Sequence, residues 1–359
     1  MSEILDTAYK TIKDKGFPYY DTDSDWRNKQ FQKMLEFKRD TMVDRQHKII
    51  GQSTHGLNLA GSYMKHMWEI KCGKMRTPME IWNDEEHFKK GLNKILTGTF
   101  FKQKPAHLIT ASDLRSMLRR YSGTQMVSNF RPTAAATLYD IFVDKDSILE
   151  GTTAGTVWDP SMGYGGRLLG AIASGVNYIG TDPCVPTYEG LCKIRDDFGH
   201  KDKKYTLLKQ GSETFIPEPE TLDFVFTSPP YLGHEMYGEE EDQSYKKFPV
   251  QEKWREGFLL QTIKNAYRGL KQGKYAGFNV ANVKSYKTFE EDTYDCMKEA
   301  GFKDIQVWWL SLSTQQGASK VNTLEGEESE KKQSNNYISK FERPDVSGRK
   351  FEPVFIGVK

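Results

Sequence analysis

Two short segments of the chain carry residue types that could bind a ligand and act on it. The first, WDPSMGYGGRLLG, begins at residue 158 and places Asp159 before a glycine-rich turn and a helix pattern. Gly163 and Gly165 let a ligand approach the backbone, and the helix N-terminus carries partial positive charge. Asp182, after the next strand pattern, can accept hydrogen bonds from ribose hydroxyls. The spacing is neither GxGxxG nor a P-loop, so it favours another nucleoside ligand, with a purely structural turn as the alternative.

The second segment is TSPPY, residues 227–231, which directly follows the apolar strand pattern LDFVF. Its two consecutive prolines cannot continue a sheet ladder, and they hold the backbone stiffly. The segment therefore presents the Ser228 hydroxyl, a backbone carbonyl and the Tyr231 ring at the end of a strand. Two acceptors can hold the hydrogens of an exocyclic amine while a ring stacks on a planar base. An ordinary loop with two prolines is the alternative for this segment alone.

Taken together, the two segments resemble those of the S-adenosylmethionine-dependent DNA amino-methyltransferases, which methylate N4 of cytosine or N6 of adenine. TSPPY resembles the catalytic motif of that family, and DPSMGYGG resembles its methyl-donor loop. FRPT at 130–133 is similar to the motif that closes over the methionine end of the donor, and QGSE at 210–213 to the segment near its adenine. The resemblance covers about residues 126–310 and 351–359. It departs from the family at Ser161, where phenylalanine is common.

The resemblance implies S-adenosyl-L-methionine as the cofactor, no metal, and a defined set of site residues. Ser228 and the Pro229 carbonyl would draw the amine lone pair out of conjugation, and Tyr231 would stack on the flipped base. The residues implied for catalysis are Ser228, Pro229, Pro230 and Tyr231. Those implied for cofactor binding are Phe130, Arg131, Pro132, Thr133, Asp159, Pro160, Ser161, Gly163, Gly165, Asp182, Gly211, Ser212 and Thr227.

The activity implied by the resemblance is site-specific methylation of double-stranded DNA at a flipped base. N4 of cytosine is favoured, because serine at the first position of the motif is more often seen with that base. N6-adenine methylation, methylation of an RNA base amine and a catalytically idle DNA-binding protein remain as alternatives. Restriction–modification, regulatory and viral self-protection roles all fit, and no motif specifies the target sequence or the oligomeric state. We expect a cytoplasmic, nucleoid-associated protein of a prokaryote or of a virus that infects one.

From about residue 126 onward, short apolar runs alternate with helix patterns, which is typical of a parallel α/β sheet. The expected fold is α/β, a seven-stranded Rossmann-like methyltransferase sheet with a mainly helical N-terminal region. The boundaries are residues 1–125 for that region and 126–359 for the methyltransferase domain, with a polar insert at about 311–350. In the N-terminal region we expect helices over residues 26–42, 80–96 and 112–121, the last capped by Ser112.

The composition excludes several classes of protein. With 37% hydrophobic and 13% aromatic residues in 359, the chain can build a core and is not expected to be disordered. No apolar run approaches the roughly 18 residues that span a bilayer, and the first residues do not resemble a secretory signal. The four cysteines lack metal-ligand spacing and are expected to be reduced thiols. Residues 1–125 hold 22 Lys+Arg against 15 Asp+Glu, which is compatible with a polyanion contact there, with ordinary surface variation as the alternative.

Overall fold

The computed structural model describes residues 2–120, 124–143, 154–233, 235–238, 240–312, 340–344 and 350–359. The strands in these ranges are β1 Val43–Asp44, β2 Ile49–Ile50, β3 Lys71–Cys72, β4 Thr156–Asp159, β5 Asn177–Thr181, β6 Tyr205–Leu208, β7 Leu222–Thr227, β8 Glu235–Met236, β9 Leu270–Asn279, β10 Lys303–Leu312 and β11 Lys350–Val358. Most of the insert expected at 311–350 lies outside the described residues.

Helices surround the strands on both sides. The α-helices are α1 Ser2–Asp14, α2 Ser24–Leu35, α3 Leu57–Tyr63, α4 Pro78–Asn83, α5 Glu85–Thr97, α6 Ala111–Arg120, α7 Pro132–Phe142, α8 Gly166–Ser174, α9 Val185–Phe198, α10 Ser244–Lys247, α11 Gln251–Trp254, α12 Gln261–Gly269 and α13 Phe289–Ala300. A π-helical turn, Arg255–Leu260, connects α11 to α12. Short 3₁₀ turns lie at Arg39–Met42, Lys65–Trp68 and Ala106–Leu108.

The central sheet has nine strands in the order β1-β2-β10-β11-β9-β7-β4-β5-β6. Strand β11 runs antiparallel to β9 and β10, while β4 to β7 and β9 pair in parallel. The expected Rossmann-like sheet is confirmed, and its seven strands are β4 to β7 and β9 to β11. Within these seven strands, the chain begins at β4, continues outward through β5 and β6, and then places β7 on the other side of β4. The switch point between β4 and β7 is where open α/β sheets bind ligands.

The N-terminal segment adds two strands that the sequence did not predict. Strand β2 pairs in parallel with β10, and β1 pairs with β2. At two residues each, these strands are too short to leave a readable period-2 pattern. The same segment packs into the core of the sheet, because Phe31, Met34 and Leu59 lie in one buried cluster with Val157 and Leu168. The domain boundary near residue 125 stays a prediction, but the hydrophobic core continues across it.

Three helix expectations in the N-terminal region need correction. The helix expected over 26–42 ends at Leu35 and gives way to a loop and a 3₁₀ turn. The pattern over 80–96 forms two helices, because the Asp84 carboxylate accepts the His87 N–H and starts α5. Helix α6 is capped by Thr110 rather than Ser112, since the Thr110 hydroxyl accepts the Asp113 N–H and the Asp113 carboxylate accepts the Thr110 N–H.

No helix in the described ranges combines the length and apolarity needed to cross a membrane. Within the same ranges, no three His, Cys, Asp or Glu side chains are grouped as metal ligands. The four cysteines, Cys72, Cys184, Cys192 and Cys296, are all free thiols.

Candidate functional site

A cavity of about 540 Å³ opens at the carboxyl edge of the sheet, around the switch point between β4 and β7. This volume lies within the roughly 300–1,000 Å³ typical of small-molecule sites. One end of the cavity, the glycine-loop end, is formed by residues from 160–167 and by Asp182. The other, the diproline end, is formed by residues 228–231 together with Glu235, Asn279 and Glu352. The loops after β4, β5, β7 and β9 therefore meet in one cavity.

The Asp182 carboxylate is a fixed acceptor at the glycine-loop end. Its Oδ2 accepts the Gly163 N–H at 3.1 Å, and its Oδ1 accepts the Cys184 N–H at 3.0 Å. Burial raises the pKa of Asp182 to about 6, although these two backbone hydrogen bonds oppose the shift. Gly163 has a φ of +52°, which favours glycine. A Cβ added there would come no closer than 3.6 Å to a neighbouring atom, so the glycine leaves cavity space unfilled.

Asp159 forms a buried ion pair behind the cavity wall. It is 0% exposed, and its Oδ2 lies 2.7 Å from Arg167 Nε and accepts the Tyr178 hydroxyl at 2.7 Å. Burial disfavours the guanidinium charge, but the Asp159 carboxylate outweighs burial and raises the pKa of Arg167. Arg167 also donates to the Ser161 carbonyl. The pair therefore fixes the glycine-rich turn from beneath, at the start of α8.

The segment FRPT packs directly against the start of α8. A Cβ on Gly166 would lie 1.8 Å from the Phe130 carbonyl oxygen, so only glycine permits this approach. Phe130 and Arg131 line the cavity, and the Arg131 Nε donates to Gln52 Oε1 at 3.2 Å. Burial lowers the pKa of Arg131. The segment places a largely buried cation at the cavity wall, and Pro132 opens α7 beside it.

The register of β7 and β9 positions the residues of the diproline end. Thr227 of β7 pairs with Phe278 of β9, so Ser228 and Asn279 lie side by side at the ends of these strands. The Tyr231 ring lies edge-on to Phe289, with ring centroids 5.5 Å apart. Burial raises the pKa of Tyr231, so its hydroxyl stays neutral. Ser228, Pro229 and Tyr231 thus line the same cavity.

Two carboxyl groups that were not predicted as site residues line the diproline end. Glu352 lies on β11 opposite Leu310 of β10, and Glu235 lies on β8. Burial raises the pKa of Glu352, although a hydrogen bond from Asn279 opposes the shift. Burial likewise raises the pKa of Glu235. The Tyr237 hydroxyl donates to Glu235. Polar residues within apolar strand patterns, FN for Asn279 and FEPVF for Glu352, were the available signal.

The strand that carries Glu235 joins the N-terminal segment to the site. In the ladder between β3 and β8, Lys71 pairs with Met236 and Cys72 with Glu235. Farther along the same loop, Glu240 Oε1 accepts a hydrogen bond of 2.8 Å from the N–H of Val185, the first residue of α9. The loop that follows the two prolines is therefore tied to the N-terminal segment and to α9.

The structure brings most of the predicted site residues to one cavity. Those that line it are Phe130, Arg131, Pro160, Ser161, Gly163, Asp182, Gly211, Ser212, Ser228, Pro229, Pro230 and Tyr231. Five others, implied as cofactor contacts, are not among the lining residues: Pro132, Thr133, Asp159, Gly165 and Thr227. Two of them hold the wall from behind, because Thr227 Oγ1 and Asp159 Oδ1 both accept the Ser161 N–H, at 3.2 and 3.3 Å. Ser161 itself lines the cavity.

The segment at 210–213 is held in place by α12. The Ser212 and Thr262 hydroxyls lie 2.8 Å apart, and the Asn265 amide donates to the Ser212 and Glu213 carbonyls at 3.2 Å each. Glu213 is buried and forms an ion pair with Lys247 of α10. Gly211 and Ser212 reach the cavity through this packing.

Comparison with known proteins gives structural likenesses only. No protein-family model and no curated protein matches the chain. A SAM-dependent methyltransferase from Thermotoga maritima, named as a possible histamine N-methyltransferase, is 16% identical, with 59% of this chain and 86% of that chain covered and a TM-score of 0.31. A SAM-dependent O-methyltransferase from the same organism is 12% identical, with coverages of 65% and 67% and a TM-score of 0.36. A possible exported protein from Bordetella parapertussis is 12% identical, with coverages of 93% and 96% and a TM-score of 0.39.

None of these three is named as a DNA methyltransferase. Likenesses of this size assign neither a substrate nor a cofactor. The strand order of the chain itself shows that it has a Rossmann-like α/β fold with its cavity at the switch point.

Proposed function

We propose that the chain is a DNA methyltransferase that uses S-adenosylmethionine to methylate the exocyclic amine of a flipped base, with N4 of cytosine as the favoured target. One observation carries the proposal. Ser228 and Tyr231 share a single cavity with Asp182 and Gly163, at the switch point of a Rossmann-like sheet. An amine-binding segment and a nucleoside-binding loop that face one cavity are what methyl transfer to a base requires.

The residues of the glycine-loop end fit S-adenosylmethionine, which supplies a methyl group activated by its sulfonium. Asp182 would accept hydrogen bonds from the ribose hydroxyls, because each carboxylate oxygen keeps acceptor capacity beyond its one backbone bond. Gly163 leaves room for the ligand beside that carboxylate. Arg131 offers a counter-charge to the methionine carboxylate. These residues would fix the position of the methyl group relative to Ser228.

The diproline end would hold the amine in a reactive orientation. An exocyclic amine is a poor nucleophile, because its lone pair is delocalised into the ring. The Ser228 hydroxyl oxygen and the Pro229 carbonyl oxygen would accept its two hydrogens and direct the lone pair toward the methyl group. The new N–C bond would form as the methyl–sulfur bond breaks, with S-adenosylhomocysteine as the leaving group, and the methylated nitrogen would then lose one proton to solvent. Positioning of this kind contributes several kcal/mol, up to about 7–11 in ideal intramolecular cases. The Tyr231 ring would stack on the base, with a contribution of about 1–3 kcal/mol.

We propose that DNA contacts the surface of residues 1–125 next to β3 and β8. Part of the positive charge in residues 1–125 has internal partners: Arg115 donates to the Pro18 and Tyr19 carbonyls, and the Arg119 guanidinium lies over the Trp68 ring. Lys74 is exposed and lies two residues beyond Cys72, which pairs with Glu235 of the cavity wall. A phosphate bound there would lie beside the cavity that takes the flipped base.

Long-read modification sequencing of DNA from a methylation-free prokaryotic host that expresses the chain tests the proposal. We expect one modified base in one sequence context, and none in cells expressing Ser228→Ala. A matched assay with purified protein compares DNA and RNA of the same sequence. Methylation of RNA alone would replace DNA as the substrate, and methylation of neither nucleic acid would reject the proposal. Modified adenine would keep the activity but reverse the preference for cytosine.

A further inference from the structure

The wall of the diproline end contains one acid that the proposed function leaves without a role. Glu352 lies on β11 where this strand extends past the end of β9, because Asn279, the last residue of β9, pairs with Val354. It therefore lies near Ser228 and Asn279, and all three line the cavity. The hydrophobic side chains of Leu310 and Leu312 line the same region. A carboxyl group in such surroundings is costly to ionise.

The polar groups around Glu352 come from several different elements. Asn279 of β9 donates a hydrogen bond to it, and Arg343 interacts with it electrostatically. Arg343 is already paired at 2.9 Å with Glu290, a fully buried acid of α13 that repels charge on Glu352. Glu352 in turn raises the pKa of the buried Glu235. Burial and the Glu290 carboxylate raise the pKa of Glu352, and the neutral form of Glu352 has an O–H donor.

Resting on the proposed function, we infer that the neutral carboxyl group of Glu352 recognises the ring nitrogen beside the target amine by donating a hydrogen bond to it. In cytosine the amine at N4 lies next to N3, and in adenine the amine at N6 lies next to N1. Both nitrogens carry a lone pair and accept a hydrogen bond. With the two amine hydrogens held by Ser228 and Pro229, the ring nitrogen is the remaining polar atom of that edge.

This assignment makes Glu352 a determinant of specificity. Thymine and uracil present a ring N–H and a carbonyl in these positions, and hypoxanthine does the same in place of adenine. The carbonyl would face the acceptors of Ser228 and Pro229, and the ring N–H would face the donor of Glu352. Repulsion at both positions excludes these bases, whereas a pocket with acceptors alone tests only the amine.

The test is a double-mutant cycle between the side chain and the base atom. Methyl-transfer kcat/KM is measured for the wild type, Glu352→Gln and Glu352→Ala on duplex DNA carrying the target base or its deaza analogue. The analogue is 3-deazacytosine for a cytosine target and 1-deazaadenine for an adenine target, in which C–H replaces the ring nitrogen. Loss of one hydrogen bond lowers kcat/KM by about tenfold. We expect that loss for the wild type on the analogue and for Glu352→Ala on normal DNA.

The expected coupling is that Glu352→Ala loses nothing more on the analogue, since the hydrogen bond is already absent. Glu352→Gln keeps an N–H donor and a similar shape, and should therefore stay sensitive to the analogue. Thermal unfolding of each variant identifies loss of fold, and the Gln variant supports the test if the Ala variant does not fold. A wild type that methylates normal and deaza DNA equally well would overturn the inference and leave the proposed function intact. A wild type that methylates no DNA would overturn both.

Discussion

The two ends of the cavity are built in different ways. At the glycine-loop end, the polar groups are part of the core: Asp159 is 0% exposed, Arg167 is 5% exposed, and both support a turn of consecutive residues. At the diproline end, Ser228 and Tyr231 are only partly buried and come from one loop, while Glu352 comes from the last strand of the chain. At the glycine-loop end, the residues that support the binding site also stabilise the fold. At the diproline end, the groups of the site come from distant parts of the sequence.

This difference predicts how the two ends respond to mutation. Substitutions behind the glycine-loop end should lower the free energy of unfolding, because they leave a buried charge or hydrogen-bonding group without its partner. Substitutions at the diproline end should lower the rate of methyl transfer while the fold is kept.

The largest effect is expected for Arg167→Met. Removal of one member of a buried ion pair costs about 3–5 kcal/mol, here because Asp159 is left without its cation. Chemical denaturation measures the loss in free energy of unfolding. Tyr178→Phe is the matched control, since it removes one hydroxyl from the same carboxylate and should cost about 1 kcal/mol. A loss below about 1 kcal/mol for Arg167→Met would show that the ion pair is not what stabilises the turn.

Ser228→Ala should lower the methyl-transfer rate by about 10²–10³-fold, by analogy with removal of one preorganised group from an active site. Its free energy of unfolding should change by less than about 1 kcal/mol, because a partly exposed serine has few buried contacts. Calorimetric titration with S-adenosylmethionine should give the wild-type dissociation constant. If donor affinity falls along with the rate, Ser228 belongs functionally to the glycine-loop end and the comparison between the ends fails.

The same difference explains how much of the site could be predicted from the sequence. The glycine-rich turn and TSPPY are contiguous, so their composition predicted both the loops and the strands before them. Helix α8 follows the glycine-rich turn and strand β7 precedes TSPPY, as those two segments predict. Glu352 reaches the cavity through the pairing of β9 with β11, which joins Asn279 to Val354 across 75 positions of sequence and which no local pattern encodes.

The corrections in the N-terminal region have two different causes. The apolar residues over 80–96 fit one helix, but the side chain of Asp84 competes for backbone N–H groups and divides the pattern in two. The β1–β2 hairpin forms because it completes the edge of the sheet beside β10, and its two-residue strands have no strong preference of their own. A local capping hydrogen bond decided the first outcome, and tertiary context decided the second.

Asp182 should give a smaller effect that depends on pH. Asp182→Ala removes a charged acceptor and should weaken binding of S-adenosylmethionine by about tenfold or more. Because burial raises the pKa of Asp182 to about 6, the wild-type carboxylate is protonated below that pH and loses its charge. The wild-type dissociation constant should therefore be constant above pH 6 and rise as the pH falls below it, by up to about tenfold per pH unit.

Calorimetry between pH 5 and 8 measures this dependence, and Asp182→Asn is the matched control. The amide keeps the size of the side chain and does not titrate, so its dissociation constant should not change across pH 6. A wild-type dissociation constant that is constant over the whole range would remove Asp182 from the ligand contacts.

The smallest effect is expected at the surface beside the diproline end. Lys74→Glu places a negative charge on the exposed turn after β3, next to the strand that carries Glu235. If this turn contacts one phosphate, the affinity for DNA should fall a few-fold, and the slope of log K against log salt should decrease in magnitude by about one. Lys201→Glu is the matched control, because Lys201 is exposed between α9 and β6, at the opposite edge of the sheet from the cavity. Equal salt slopes for the two variants would mean that DNA approaches the cavity from a different face, and that the charge excess of residues 1–125 serves internal contacts such as those of Arg115.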